Sequence, residues 1–264
     1  MEPRILRTDA KGTGDSIVFV PGSLTGWLSW VPHQEAIADS YRAIRVQPIG
    51  NELGSAGQPG DPSYSYLTER ESLAMTLDSL SIDSCHFAGW SGGARAMLEF
   101  SMQYGDRVRS LTLVEPAAFW ILEKLGIEDP IVEKLNAFLH PLAGRDVTED
   151  DLATFLEYAA FIAPGEDARQ HPNWQRWLPH RNGLSWQGEF LDTPDRSPDE
   201  LKDIQVPTLL VRGTNTAEWL KKVADEVAAR LPHVTALELE GDHACHIQRL
   251  DDFMESFRKH LSAA

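Results

Sequence analysis

The stretch Gly89-Trp90-Ser91-Gly92-Gly93 decides how this chain is read. It has the form G-x-S-x-G. Before it, Cys85-His86-Phe87-Ala88 is short, mostly apolar and bounded by turn residues, as a buried parallel strand requires. After it, residues 94–100 are built of helix formers. A serine on such a strand-to-helix turn is held on a tight, strained backbone. Its hydroxyl stands clear of the sheet, beside the positive end of the next helix. Small neighbours let the turn close and let a substrate approach. Ser91 is therefore the candidate nucleophile. An ordinary glycine-serine turn is the competing reading, and the flanking strand and helix weigh against it.

Working outward, strand-like and helix-like segments alternate. Residues 17–20, 43–46, 85–88, 111–114, 208–211 and 234–239 read as strands. Residues 66–80, 94–104, 216–230 and 251–261 read as helices. Such alternation predicts an α/β fold, a mostly parallel sheet with helices on both faces. Any N-terminal antiparallel hairpin must be small, because little chain precedes residue 17. Residues 119–200 break the alternation. Helical spacing over 131–139 and 149–162 is followed by a proline- and tryptophan-containing stretch, 171–189, and a turn-rich return linker, 192–198. The expected organisation is a core of residues 1–118 and 201–264 with a helical cap, 119–200, inserted in it.

The bulk numbers narrow the function classes. A chain of 264 residues with 42% hydrophobic residues can bury one large core. Its formal net charge of −16 argues against nucleic acid and anionic membrane surfaces as partners. The sequence has no apolar run long enough to span a membrane. Met1-Glu2-Pro3-Arg4 is polar and leads into no signal-peptide segment, so a cytoplasmic protein is expected. Cys85 and Cys245 form no metal-spaced pair and are expected as free thiols. Gly12-Thr13-Gly14 lacks the rest of a phosphate-binding loop and precedes the strand it should follow. No metal or organic cofactor is implied.

With the elbow in place, the chain resembles the α/β-hydrolase family over nearly its full length. Val18-Phe19-Val20-Pro21-Gly22-Ser23 resembles the strand and loop that carry half of the oxyanion hole. Residues 89–93 resemble the nucleophile elbow. Residues 206–213 resemble the penultimate core strand, and Gly241-Asp242-His243 the loop of the catalytic histidine. Chain order agrees, with serine first and histidine near the C-terminus. Two departures stand out. The usual His-Gly of the oxyanion loop is Pro21-Gly22. The usual acid after the penultimate strand is missing, because Gly213-Thr214-Asn215-Thr216 carries no carboxylate.

The resemblance assigns the base to His243, which follows a strand and a turn close to the C-terminus. His246 is the runner-up, His33 lies on the wrong segment, and His86 reads as a buried, satisfied residue. For the acid, Glu115 sits at the C-terminal end of the strand next to the elbow. Members of the family, including lactone hydrolases similar to those acting on zearalenone, place their acid there. Glu218 is the alternative, and Asp242 reads as a loop residue. The oxyanion hole is expected from the backbone N–H groups of Gly92 and Ser23. Leu24, Trp27, Trp90, Trp120, Trp177 and Trp186 are candidate substrate-binding residues, because ligand sites are largely apolar and aromatic.

Three functions fit this pattern. The leading one is hydrolysis, through an acyl-enzyme, of a carboxylic ester or lactone with a bulky apolar part. The second is carbon–carbon bond hydrolysis on the same fold. The third is a hydrolase-like fold kept as a ligand receptor. The family's usual epoxide and haloalkane chemistries are disfavoured, since they use an aspartate where this chain has Ser91.

Overall fold

A computed structural model describes residues 1–163, 165–187 and 196–264. Seven strands form one sheet: β1 (Arg7–Lys11), β2 (Ser16–Val20), β3 (Arg42–Gln47), β4 (Cys85–Trp90), β5 (Val108–Val114), β6 (Thr208–Gly213) and β7 (Val234–Leu239). Their order is β1-β3-β2-β4-β5-β6-β7. β1 pairs antiparallel with β3 and every other pairing is parallel. The six strands expected from the sequence are all present. β1 is the small antiparallel arm, too polar (Arg7-Thr8-Asp9-Ala10-Lys11) to stand out by apolar pattern.

Burial on both faces explains why the central strands are near-continuous apolar runs. Along β2, Val18 and Val20 enter one apolar cluster while Ile17 and Phe19 enter the other. β6 splits the same way, with Leu210 on one side and Leu209 and Val211 on the other. This period of two fixes the register.

The helices are α1 (Val31–Ile37), α2 (Ile49–Ser55), α3 (Tyr66–Ser79), α4 (Gly92–Gln103), α5 (Trp120–Lys124), α6 (Pro130–Leu139), α7 (Glu149–Tyr158), α8 (Trp174–Trp177), α9 (Glu218–Arg230), α10 (Cys245–Gln248) and α11 (Leu250–Ala263). α11 buries Phe253, Met254, Phe257 and Leu261, spaced as one helical face. These side chains pack with Phe19 and Trp30 beneath the sheet.

Between β5 and β6 the described residues contain helices and 3-10 turns and no strand. α6 starts at Asp129, whose carboxylate accepts the N–H groups of Ile131 and Val132, with Pro130 in its first turn. α7 starts with a capping box between Thr148 and Asp151. Leu135, Leu139, Leu152, Leu156, Trp120, Trp174, Trp177 and Trp186 are buried here. They belong to the cluster that also contains Val18, Leu111 and Leu113 of the sheet, so these helices share the sheet's core. The return linker expected over 192–198 lies outside the described residues as far as 195. Ser197 then caps a 3-10 turn, Pro198–Asp203, that spans the expected boundary at 200/201.

Candidate active site

Ser91 is the residue between β4 and α4, with φ 56° and ψ −119°. That is left-handed territory, which a non-glycine residue occupies at a cost of about 1–3 kcal/mol unless its surroundings hold it there. The surroundings do hold it. Its N–H donates to the Val114 carbonyl at 2.9 Å, and its carbonyl accepts from Arg95 and Ala117, each at 3.1 Å. The glycines make room: a Cβ on Gly93 would run into the carbonyl oxygens of Val20 and Pro21.

Glu115 ends β5, the neighbouring strand, and it too has positive φ, 45°. Its N–H is tied to the Val211 carbonyl at 2.9 Å. The bend turns its carboxylate into the protein, where it is 1% exposed. Three donors meet it there. The Gly213 N–H donates to Oε1 at 2.6 Å and the Thr216 hydroxyl to Oε2 at 2.6 Å. Nδ1 of His243 lies 2.6 Å from Oε2. Against a carboxylate this nitrogen carries the proton and donates. Nε2 is then the basic nitrogen of the ring. A buried carboxylate costs far less when its oxygens accept several hydrogen bonds.

The loop of His243 is shaped by Asp242. Its carboxylate accepts from the Ala244 N–H at 2.7 Å and from Nε2 of Gln248 at 2.7 Å. Asp242 thus folds the loop and does not touch the ring's Nδ1. Glu218 is exposed at the start of α9 and pairs with Lys221 at 2.7 Å. Of the three acids considered, Glu115 is the one on His243.

Ser91 and His243 line two adjoining cavities. One is walled by Ala117, Phe119, Leu135, Leu139, Phe155 and Trp219. The other is walled by Leu24, Thr25, Trp90, Phe155, Phe161 and Trp177. Ser23 lines both. A Cβ on Gly22 would sit 3.1 Å from Cβ of Ser91, so the loop after β2 presses directly on the elbow. Nδ2 of Asn51 donates to the carbonyls of Gly22, at 3.0 Å, and Ser23, at 2.8 Å. That anchor fixes the peptide planes whose N–H groups belong to Ser23 and Leu24. Gly92 opens α4, where the first N–H groups lack intrahelical partners. It lines a third cavity, next to the first two.

Among the six candidate binding residues, Leu24, Trp90 and Trp177 line a cavity with Ser91. Trp90 also holds the histidine loop, its Nε1 donating to the His243 carbonyl at 2.8 Å. The other three are placed elsewhere. Trp27 packs under Arg7 and Arg45, whose guanidinium carbons lie 5.4 and 5.7 Å from its ring. Trp120 is fully buried in the core. Trp186 wedges between α2 and the helical stretch, edge-on to Tyr64, with Nε1 on the Gln58 carbonyl at 2.9 Å. Sequence proximity to a loop does not say which way a ring turns, and these three turn to packing.

The competing histidines are buried without carboxylates. His246 is fully buried between Trp30 and Trp90, and burial holds it well below its usual range. His33 is held down to about 4 by burial, with Nε2 on the His246 carbonyl at 3.1 Å. His86 bonds Ser110 Oγ at 2.8 Å and is also held to about 4 by burial. Residues not foreseen from sequence are Thr216, Asn51, Phe155, Phe161 and Gln187. Thr216 ends the segment Gly213-Thr214-Asn215-Thr216, whose lack of a carboxylate hides its role as a donor to one. An asparagine just past a strand end was the available signal for Asn51.

A family model of the alpha/beta hydrolase family matches residues 17–255. Carboxylesterase YbfK of Bacillus subtilis is 27% identical over 224 residues, 82% of this chain and 69% of that protein. A 2-hydroxy-6-oxononadienedioate/2-hydroxy-6-oxononatrienedioate hydrolase of Burkholderia vietnamiensis is 31% identical over 166 residues, 55% of this chain and 57% of that protein. The crystal structure of the Bacillus subtilis carboxylesterase, 22% identical, superposes with a TM-score of 0.73, covering 100% of this chain and 90% of that one. With the sheet order, the strained serine turn and the buried histidine–glutamate contact, the match leaves one conclusion: the chain is an enzyme of the alpha/beta hydrolase family.

Proposed function

We propose that this hydrolase cleaves a carboxylic ester or lactone with a bulky apolar part, using Ser91 as nucleophile, His243 as base and Glu115 as the acid that orients it. The observation that carries the reading is the 2.6 Å contact between Nδ1 of His243 and the buried carboxylate of Glu115, in a residue that shares its cavity with Ser91. That contact leaves Nε2 to take a proton. Ser91 Oγ attacks the ester carbonyl as its proton passes to Nε2. The oxyanion is met by the N–H groups of Gly92 and Ser23. Collapse expels the alcohol, protonated by His243, and leaves an acyl-serine. Water, deprotonated by His243, then releases the acid and restores the serine. Glu115 stabilises the imidazolium without taking its proton.

The substrate class rests on the walls. Leu135, Leu139, Phe155, Phe161, Trp177 and Trp219 offer apolar and aromatic surface to whatever sits on Ser91. Leu135, Leu139 and Phe155 come from α6 and α7, which supports reading residues 119–200 as a cap that shapes the substrate. The carboxylesterase relative favours ester cleavage. The relative named for a 2-hydroxy-6-oxo dienedioate keeps carbon–carbon cleavage as the second reading. Turnover of para-nitrophenyl esters tests the proposal, and product analysis on a diketone-like acid separates the two chemistries. Ser91→Ala should remove about a million-fold of ester turnover while the protein stays folded. Activity retained within about tenfold in that variant would overturn the reading.

A further inference from the structure

A further chamber borders the oxyanion loop, and neither Ser91 nor His243 is among its lining residues. Its walls include Gly22, Ser23, Gly92 and Gln187. Ser23 and Gln187 also line the cavity that holds Ser91 and His243. Their side chains meet, the Ser23 hydroxyl donating to Oε1 of Gln187 at 2.8 Å. This pair is the partition between the two spaces.

The chamber itself is an apolar pocket with an acid in its wall. Leu6, Val20, Val46, Leu73 and Met97 supply the apolar surface, and Glu69 supplies a carboxyl group; Arg70 also borders the chamber, its guanidinium paired with Glu71 at 2.7 Å. Glu69 is 8% exposed. Its Oε1 accepts from the Tyr64 hydroxyl and from the Gly50 N–H, the latter at 3.4 Å. Burial pushes this carboxyl up to about 7. An amide or an aliphatic residue would fill the same place without that desolvation cost. A carboxyl group facing a cavity in an apolar wall is a reader of ligand polarity.

We propose that this chamber is a second substrate subsite, entered past the Ser23–Gln187 pair, for an ester arm that ends in a hydrogen-bond donor, a hydroxyl or an ammonium, read by Glu69. The inference rests on ester hydrolysis at Ser91. The apolar walls take the methylenes of the arm, and the carboxylate accepts from its end. A carboxylate-ended arm meets like charge at Glu69, and Arg70 in the same wall, already paired with Glu71, is the only group there among the described residues that would offset it.

Two ester series test it, assayed above pH 7 where Glu69 is ionised. In one, para-nitrophenyl butanoates, hexanoates and octanoates end in methyl, hydroxyl, ammonium or carboxylate. In the other, acetates of matching alcohols carry the same ends, because either arm could be the one that enters. In at least one series, donor-ended members should exceed methyl-ended ones by about tenfold or more in kcat/KM, the size of one hydrogen bond to a charged group. Glu69→Leu should bring that ratio close to one, whereas Glu69→Gln, whose amide oxygen still accepts, should lower it mainly for ammonium ends. The ratio, not the rate, is the readout, and thermal melting is followed alongside. A melting temperature that falls with an unmoved ratio would show that Glu69 only supports the fold and would overturn the proposal. So would wild-type enzyme that favours methyl ends in both series, a result that needs no variant to fold. Hydroxyl preferred over ammonium, or the reverse, tells which donor the subsite serves. Para-nitrophenyl acetate has no arm to reach the chamber. Its failure to turn over would sink the ester reading itself, whereas its turnover with no terminus preference sinks the subsite alone.

Discussion

The ends of β5 and β6 lie side by side, and they divide between them a task that the family pattern gives to one. The usual place for the acid is the loop after the penultimate strand, here β6. That loop reads Gly213-Thr214-Asn215-Thr216 and holds no carboxylate. The end of β5 holds Glu115 on a positive-φ bend. The vacated loop is not idle, since its Gly213 N–H and Thr216 hydroxyl both donate to Glu115. A Cβ on Gly213 would run into the carbonyl oxygens of Gly241 and Asp242, so glycine lets the histidine loop close over the acid. A carboxylate at the end of β5 thus reaches the imidazole from one strand over, and the loop after β6 serves it as a donor site.

The harshest way to break this arrangement is to remove the histidine the two strand ends converge on. His243→Ala should cost nearly as much as loss of Ser91, about a million-fold in kcat, because triad members act as one unit. His246→Ala should cost far less, since its ring sits against Trp30 and Trp90 and touches no carboxylate. Initial rates on one para-nitrophenyl ester decide it. The reverse order would move the base to His246.

The next test acts on the strand ends themselves. Glu115→Gln keeps the shape but lets the amide favour the wrong imidazole tautomer. The expected loss is large, up to about ten-thousand-fold, as for the isosteric change in a serine protease. Thr216→Val removes one of three donors from the same carboxylate and should cost about tenfold in kcat, the size of one hydrogen bond to a charged group. Glu218→Gln, at an exposed residue paired with Lys221, should be close to neutral. A Glu115 variant no worse than the Thr216 variant would mean the acid lies elsewhere.

How much of this was legible in the sequence follows from what each feature depends on. The central strands were readable because burial on both faces leaves apolar runs such as Ser16–Val20. The elbow was readable because one turn needs serine among small residues. Glu115 could be picked out by its place at a strand end, but its three partners lie 98, 101 and 128 residues away in the chain. Nothing local encodes that meeting. β1 was not legible, since an edge strand facing water needs no apolar pattern. The tryptophans misled for a related reason. Trp120 and Trp186 are as apolar as Trp177, and only tertiary packing decides which ring faces a cavity and which fills the core.

The smallest expected effect sharpens the contrast between the histidine with a carboxylate and those without. His33 and His86 are held to about 4, and His246 also lies below its usual range, all by burial. In the unfolded chain each titrates near 6.5. Unfolded protein therefore binds protons that folded protein refuses as pH falls from about 6.5 toward 4. Stability declines across that window, and the decline continues below it until His246, held lower still, and the low-lying carboxylates of Asp9, Asp129 and Asp151 have taken up protons. Glu69, pushed up to about 7, works in the opposite direction, its contribution being lost as pH rises through 7. Melting temperatures from pH 4 to 7 should fall on the acid side, and His246→Phe should flatten that fall by several degrees. An unchanged acid slope would show that His246 titrates freely in the folded protein.

The central claim is that Ser91, set on a strained turn beside His243, is the group that attacks. A serine-reactive phosphonate followed by peptide mass spectrometry reads this directly. One stoichiometric adduct is expected, located on Ser91, with ester turnover lost in step. An adduct on another residue, or none from an enzyme that keeps turning over esters, would contradict it.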